Sequence, residues 1–388
     1  MGGGDCGLMT ALKCVAVIGL LAWGLPGGAA AQAVGGGALL QAYTFENPDA
    51  AGLETIHLLT VPFAVTVPIA GRLGVSVSGA YASGIARGAE GVEATLSGPT
   101  DTNLGLTTVI PGVDWAVLTA SMSLPTGQSE HTTAESLVAG VIAAELLPFG
   151  ISTWGSGGSA GGNLSLVRQL GSWGVGLSGG YSVANEYEPL AEQQLAYRPG
   201  DQLQVSLALD RDVGRAGTFS TFLAFQSFGN DQLGGADLFR SGNRIQALVS
   251  YAFAVGRRSS ALLYGGVNYR ENGTLITAGS SLGDASDAPS QQLFNAGTNI
   301  RVPLGRRAAI LPSIEARVFR ASDGASQGWV TSGGTTIEYR VAGGASGRRV
   351  VLGPTGQFRM GRVIVSEGVE TSLMGWEAGL TLRAIVGR

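Results

Sequence analysis

Leu203-Gln204-Val205-Ser206-Leu207-Ala208-Leu209-Asp210 carries apolar side chains at its odd positions. Side chains alternate between the two faces of a β-strand, so this octapeptide reads as a strand with one apolar face. Period two alone does not say whether that face meets a protein core or lipid. The connections on either side decide. A tight turn follows at 212–217, the next strand runs over 217–228, and a long polar connection occupies 229–242.

The same rhythm extends in both directions. Tight turns read at Ala70-Gly71-Arg72, Pro111-Gly112-Val113, Leu170-Gly171-Ser172, 212–217, 255–259 and 304–307. Between them lie long connections near 83–101, 125–160, 183–200, 229–242 and 271–290. A transmembrane β-barrel has this asymmetry, with short periplasmic turns and long outer loops. Both ends of a soluble sandwich face the same solvent, which gives no reason for regular alternation. The apolar strand faces are therefore assigned outward, to lipid.

Other segments alternate in the same way. In Trp376-Glu377-Ala378-Gly379-Leu380-Thr381-Leu382-Arg383-Ala384 the even positions are apolar. Ile245, Ala247, Val249, Tyr251 and Phe253 alternate with Arg244, Gln246 and Ser250. Strands near 39–45, 55–68, 72–83, 102–110, 114–124, 155–169, 172–183, 201–211, 217–228, 242–254, 260–270, 291–303, 308–320, 329–342, 347–361 and 371–386 make sixteen. Fourteen result if the first segment is a plug and one late hairpin lies outside the wall. The fold class is thus all-β, a transmembrane antiparallel barrel of about sixteen strands with an aqueous or partly plugged lumen. Trp115, Trp173, Tyr181, Phe228, Tyr251, Phe253, Tyr269, Phe319, Trp329 and Trp376 fall near strand ends, where aromatic girdles meet the membrane interface.

Composition agrees. Residues 1–31 read as a secretory signal: Lys13, an apolar stretch at 15–25, then small residues ending in Ala29-Ala30-Ala31. Residues 32–388 form the barrel. Both cysteines, Cys6 and Cys14, and the sole lysine lie in the signal. The remaining chain has no disulfide and no thiolate metal site. Hydrophobic residues make up 45% of the sequence, yet no apolar run after the signal is long enough for a helical span. A closed barrel facing lipid hides such a surface. Export and barrel together point to the outer membrane of a Gram-negative cell. Its lipids and lipopolysaccharide, the outer-membrane insertion machinery and a small-molecule solute are then the partners. With a net charge of −4 and no dense basic helix, nucleic acid is not among them.

The stretch Ala120-Ser121-Met122-Ser123-Leu124-Pro125-Thr126-Gly127, with the preceding Asn103-Leu104-Gly105-Leu106 strand, resembles an outer-membrane channel family linked to phenol and aromatic-compound degradation. That family is similar to long-chain fatty-acid and hydrocarbon channels. The resemblance implies passive uptake of small hydrophobic or aromatic molecules. The chain departs from the common pattern at its end, where Val386-Gly387-Arg388 replaces a terminal aromatic.

The polar strand faces carry the candidate pore lining: Arg244, Gln246, Asn268, Arg270, Asn299, Arg301, Glu315, Arg317, Arg359, Glu377 and Arg383. Buried charges must pair or stay hydrated, so these residues either brace the wall as ion pairs or bias passage electrostatically. The longest connection holds Glu130, His131, Glu135 and Glu145 around an apolar run at 137–149. It either folds into the lumen as a constriction or packs as an extra hairpin or helix at the rim. In the first case its acids would meet wall arginines such as Arg244 or Arg301.

Catalysis finds little support. Gly157-Gly158-Ser159-Ala160-Gly161 matches G-x-S-x-G, but a nucleophile elbow needs a strand–turn–helix context, and 63 glycines make chance matches common. His57 and His131 stand far apart, with no metal-ligand spacing. No enzyme activity and no cofactor are expected. A non-transport barrel, either a structural or adhesive surface protein or a barrel lipase, is the alternative reading.

Overall fold

The computed structural model describes residues 32–143, 147–193, 195–214, 217–276, 286–288, 290–321, 326–343, 348–366 and 369–386. The signal segment at 1–31, Glu145 and the final Gly387-Arg388 lie outside the described residues.

In chain order the strands are β1 (Gln32–Phe45), β2 (Leu53–Ala70), β3 (Leu73–Gly88), β4 (Glu93–Pro99), β5 (Thr102–Val109), β6 (Ala116–Leu124), β7 (Ser159–Leu170) and β8 (Trp173–Ala184). Then come β9 (Tyr197–Arg198), β10 (Gln202–Asp212), β11 (Thr218–Phe228), β12 (Asn230–Leu233), β13 (Ala236–Arg240), β14 (Arg244–Val255) and β15 (Ser259–Arg270). The series ends with β16 (Gly273–Leu275), β17 (Ser286–Ala288), β18 (Gln291–Pro303), β19 (Ala308–Ala321), β20 (Ser326–Gly343), β21 (Arg348–Ser366) and β22 (Val369–Val386). Two helices, α1 (Pro48–Ala51) and α2 (Thr133–Ala143), interrupt them.

Every wall strand pairs antiparallel with its neighbours, and β1 pairs β22 from Gln32↔Val386 to Phe45↔Leu373. That pairing closes a barrel of sixteen strand positions, with β4 as one extra strand. One position is shared. The half of β3 nearest the long loops pairs β4, the other half pairs β5, and the break falls at Thr100-Asp101. The fourteen-strand alternative is ruled out, because the first segment belongs to the wall.

At one end the turns are two to six residues long, such as 71–72 and 110–115. The other end is uneven. The strands β20 and β22 have 18 residues each and β21 has 19, whereas β10 and β11 have 11. At about 3.3 Å per residue and a tilt near 40°, 11 residues climb roughly 28 Å, close to an apolar band of about 25 Å. The longer strands overshoot that band, and the long-loop end carries more than bare connections. Expected loops are structured there. The 83–101 connection is mostly the β3–β4 hairpin, and parts of 185–201, 229–242 and 271–290 form a second sheet of β9, β12, β13, β16 and β17. These strands are too short to show period-two patterning, so composition read them as loops.

The outer face is apolar and unprotected. Met374 is 63% exposed and Ile314 59%, and Leu203, Leu223, Leu263 and Phe358 stand out beside them. Side chains of this size stay bare on a folded surface in such numbers only where lipid covers them. Leu380 is outward and exposed, as its alternation predicts. Two aromatics depart from the expected girdle. Phe319 is fully buried, and it shares the inward face of β19 with Glu315 and Arg317. Phe228 lies under the Arg244 guanidinium, 5.5 Å from its ring centre, on the inward face. Both have the parity of the polar positions, which proximity to a strand end does not reveal.

Candidate functional site

The 125–158 connection turns into the barrel. Its helix α2 starts with a reciprocal cap: Thr132 N–H donates to Glu135 Oε2 at 2.8 Å, and Glu135 N–H donates to Thr132 Oγ1 at 3.3 Å. Each side chain satisfies an amide that the first turn leaves without a helical partner. These bonds, led by the backbone one from Thr132, hold the Glu135 carboxyl below its usual range.

The apolar run then leans on one side of the lumen. Val138, Ile142, Leu147 and Trp154 are buried against Tyr43, Ile56, Leu58, Ala82, Leu96 and Leu373 of the β1–β4 and β22 wall. Full burial of such side chains is worth about 1.5–3 kcal/mol each before ordering costs. Gly84 makes the approach possible, because a β-carbon there would sit 2.8 Å from Val138 Cγ1 and 3.2 Å from Trp154.

Two polar anchors fix the loop. The first is Asp101, buried at the break between β4 and β5. Its Oδ1 accepts from Gly127 N–H at 3.0 Å, and its Oδ2 accepts from Ser156 N–H at 2.8 Å and Ser156 Oγ at 2.9 Å. One carboxylate thus clamps both stems of the loop. Trp154 O accepts from Asp101 N–H at 2.9 Å, so the stems also close on the wall backbone. The residues Pro125-Thr126-Gly127, which end the stretch behind the family resemblance, are the stem where the chain turns inward.

The second anchor is Gln41, 1% exposed. Its amide donates to Pro148 O at 2.7 Å and to Glu377 Oε2 at 3.0 Å, and accepts from Gly150 N–H at 2.7 Å. Glu377 in turn accepts from Arg359 Nη2 at 2.6 Å. Arg359 also donates to Tyr43 hydroxyl at 2.7 Å and to Gln357 at 3.1 Å. Tyr43 meets the Phe149 ring edge-on at 5.2 Å.

Of the loop's acids, Glu145 lies outside the described residues, and the described Glu130 and Glu135, contrary to the sequence expectation, do not meet the wall arginines. Glu135 is spent on its helix cap, Glu130 is exposed, and Arg301 bonds Glu338 instead. Asp101 and Gln41 are buried where the loop meets the wall and reach its backbone groups, whereas Glu130 points to solvent. His131 sits in the outer stem, bridged to Leu190, where burial pushes its pKa down and the nearby Glu135 carboxylate partly opposes that shift.

The remaining candidates gather into three groups. Near the long-loop end, Arg244 lies directly across from Arg270, and Gln246 across from Asn268. Midway, Arg317 donates through Nε to Glu315, which also accepts from Tyr264 hydroxyl at 2.7 Å. Toward the short-turn end, Arg383 and Arg301 share Glu338, at 2.7 and 3.4 Å. Asn299 pairs across strands with Leu262 and Ser313. Gln41, Tyr43 and Asp101 of the anchors, and Tyr264 and Glu338 of these groups, were not singled out from sequence.

Two cavities flank the loop. One of about 510 Å³ lies along β2, β3 and the Asp101 break, and includes Asn103, Ser123 and Ser152. Another of about 520 Å³ separates the loop edge from Asn268, Leu293 and Arg317 on the far wall. Ser159 begins β7 with Ser123 and Ala184 as cross-strand neighbours, neither of them a base, so the G-x-S-x-G match stands in a loop-to-strand setting. Among the described residues no group of His, Cys, Asp and Glu has the geometry to hold a metal.

No family model matches the chain, and no curated protein does. Solved structures of similar fold are outer-membrane proteins. The anion-selective porin from Comamonas acidovorans has a TM-score of 0.42 at 13% identity, covering 91% of this chain and 98% of that one. An outer-membrane channel from Pseudomonas putida F1 has a TM-score of 0.36 at 12% identity, covering 93% and 96%. A bacterial polysaccharide outer-membrane secretin has a TM-score of 0.49 at 10% identity, covering 91% and 98%. At these distances, a role for this barrel has to be read from its own lumen.

Proposed function

We propose that the chain is an outer-membrane channel for passive uptake of small hydrophobic or aromatic molecules. The observation that carries this reading is the inward 125–158 loop. It fills only one side of the lumen and leaves cavities of about 510 and 520 Å³ beside it. Those volumes match the 300–1,000 Å³ of small-molecule sites. A purely structural barrel has no need to hold an apolar loop edge against open lumenal space. The resemblance of 120–127 to channels linked to aromatic degradation points the same way.

On this reading residues 1–31 direct export, the outer-membrane insertion machinery assembles the barrel, and lipid with lipopolysaccharide covers its apolar belt. The eleven wall residues from Arg244 to Arg383 line the path. Glu130, His131, Glu135 and Glu145 belong to the constricting loop.

The test uses the refolded protein in planar bilayers. Discrete conductance steps in KCl are expected, with current block by millimolar benzamide and none by a polar solute of similar size. An absence of steps, or equal block by both solutes, contradicts the proposal.

A further inference from the structure

The cavity on the far side of the loop is two-faced. One wall is apolar, built from Phe149 and Ile151 of the loop edge with Leu293 of β18. The other carries Arg317 and Asn268. Arg317 uses Nε for Glu315, and no described residue accepts from its two Nη groups. Glu315 is itself held by Tyr264, which fixes the guanidinium in place. The Asn268 amide lines the same wall, and its buried oxygen has no partner among the described residues. Arg270, nearer the mouth on β15, adds a cation ahead of the cavity.

From this juxtaposition we infer that the cavity is a selectivity site for amphipathic anions, small aromatic or apolar carboxylates. The ring or alkyl body packs on Phe149, Ile151 and Leu293. The carboxylate takes one N–H from each Nη of Arg317 as a planar pair and the Asn268 amide as a third donor. A guanidinium offers that fork geometry to a carboxylate, and a neutral amide cannot match the charge-assisted bonds. A volume of about 520 Å³ accommodates a single-ring acid with some water. The inference rests on the channel reading and narrows its solute class.

The experiment compares current block by benzoate, benzamide and acetate in planar bilayers carrying the full refolded chain. Benzoate is expected to block at a concentration about tenfold below that of either other probe, because it alone uses both walls. In Arg317→Gln the benzoate constant should rise about tenfold to meet benzamide, acetate should weaken with it because it uses the same fork, and benzamide should barely change. If Arg301→Gln, at a wall arginine toward the short-turn end and away from the cavity, weakens benzoate as much, the effect is general lumenal potential and the site is overturned. In Phe149→Ala the ring contact goes while Arg317 stays, so benzoate should fall toward acetate. Heat-modifiable mobility on gels confirms that each variant is a folded barrel. Equal block by benzoate and benzamide in the unaltered protein, or a benzoate preference surviving Arg317→Gln, refutes the inference. An absence of conductance or of any block refutes the channel reading instead.

Discussion

Replacing Gln41 by Leu should loosen the loop without opening the wall. The substitution keeps the size of the side chain and removes its bonds to Pro148 O, Gly150 N–H and Glu377. The backbone of β1 still pairs with β2 and β22 at that position. Two buried backbone groups of the loop lose their partners, and each such group costs about 1–3 kcal/mol. Lumenal water reaches part of the gap, so the low end of the range applies, about 1–1.5 kcal/mol for each group and about 2–3 kcal/mol in all. That shifts the balance between seated and unseated loop about 30- to 150-fold. Single-channel recording reads this directly. Gln41→Leu should show brief excursions to a higher conductance, with the unfolding midpoint of the barrel almost unchanged. A conductance histogram identical to that of the unaltered protein would refute Gln41 as the anchor.

The remaining expectations address wall, ion pair and pH. Leu207→Arg puts a charge in the middle of an 11-residue strand on the lipid face and should lower stability by about 2–4 kcal/mol in denaturant titration. Glu377→Gln strips the counter-charge from Arg359, whose pair is only 7% and 10% exposed, and should cost about 3 kcal/mol by the same measurement. His131 is neutral in both loop states above its ordinary value of 6.5, and burial holds its folded pKa lower. As pH falls below 6.5 the unseated loop takes up the proton first, so seating weakens and high-conductance excursions become more frequent toward pH 5. His131→Gln should remove that pH dependence.

The wall was legible because lipid and lumen impose opposite polarity on successive residues. Leu203 to Asp210 and Trp376 to Ala384 show this alternation strictly, and all sixteen expected segments contain a wall strand. The inward face was legible for the same reason: Arg359, Glu377, Glu315 and Arg317 sit at polar parity. What they bond was not, since the partners Gln41, Tyr43 and Tyr264 lie on strands remote in sequence and look like ordinary wall residues. The helix α2 carried a local signal in Thr132-Thr133-Ala134-Glu135, a capping box ahead of an apolar run. The role of Asp101 had no such signal. It follows from the break between β4 and β5, which only the pairing register reveals.

The central claim is that an open barrel is narrowed by a loop folded into its lumen, and removing that loop tests it most directly. Gly127 and Gly155 bring the two stems into contact, with a β-carbon on Gly155 falling 2.8 Å from the Gln128 carbonyl carbon. Residues 129–154 can therefore be deleted and the ends joined by a short glycine link. Planar-bilayer recording of this variant should give a folded, heat-modifiable barrel with several-fold higher conductance and no block by aromatic solutes. Unchanged conductance in a folded variant would mean that the loop does not constrict the path, and would contradict the account.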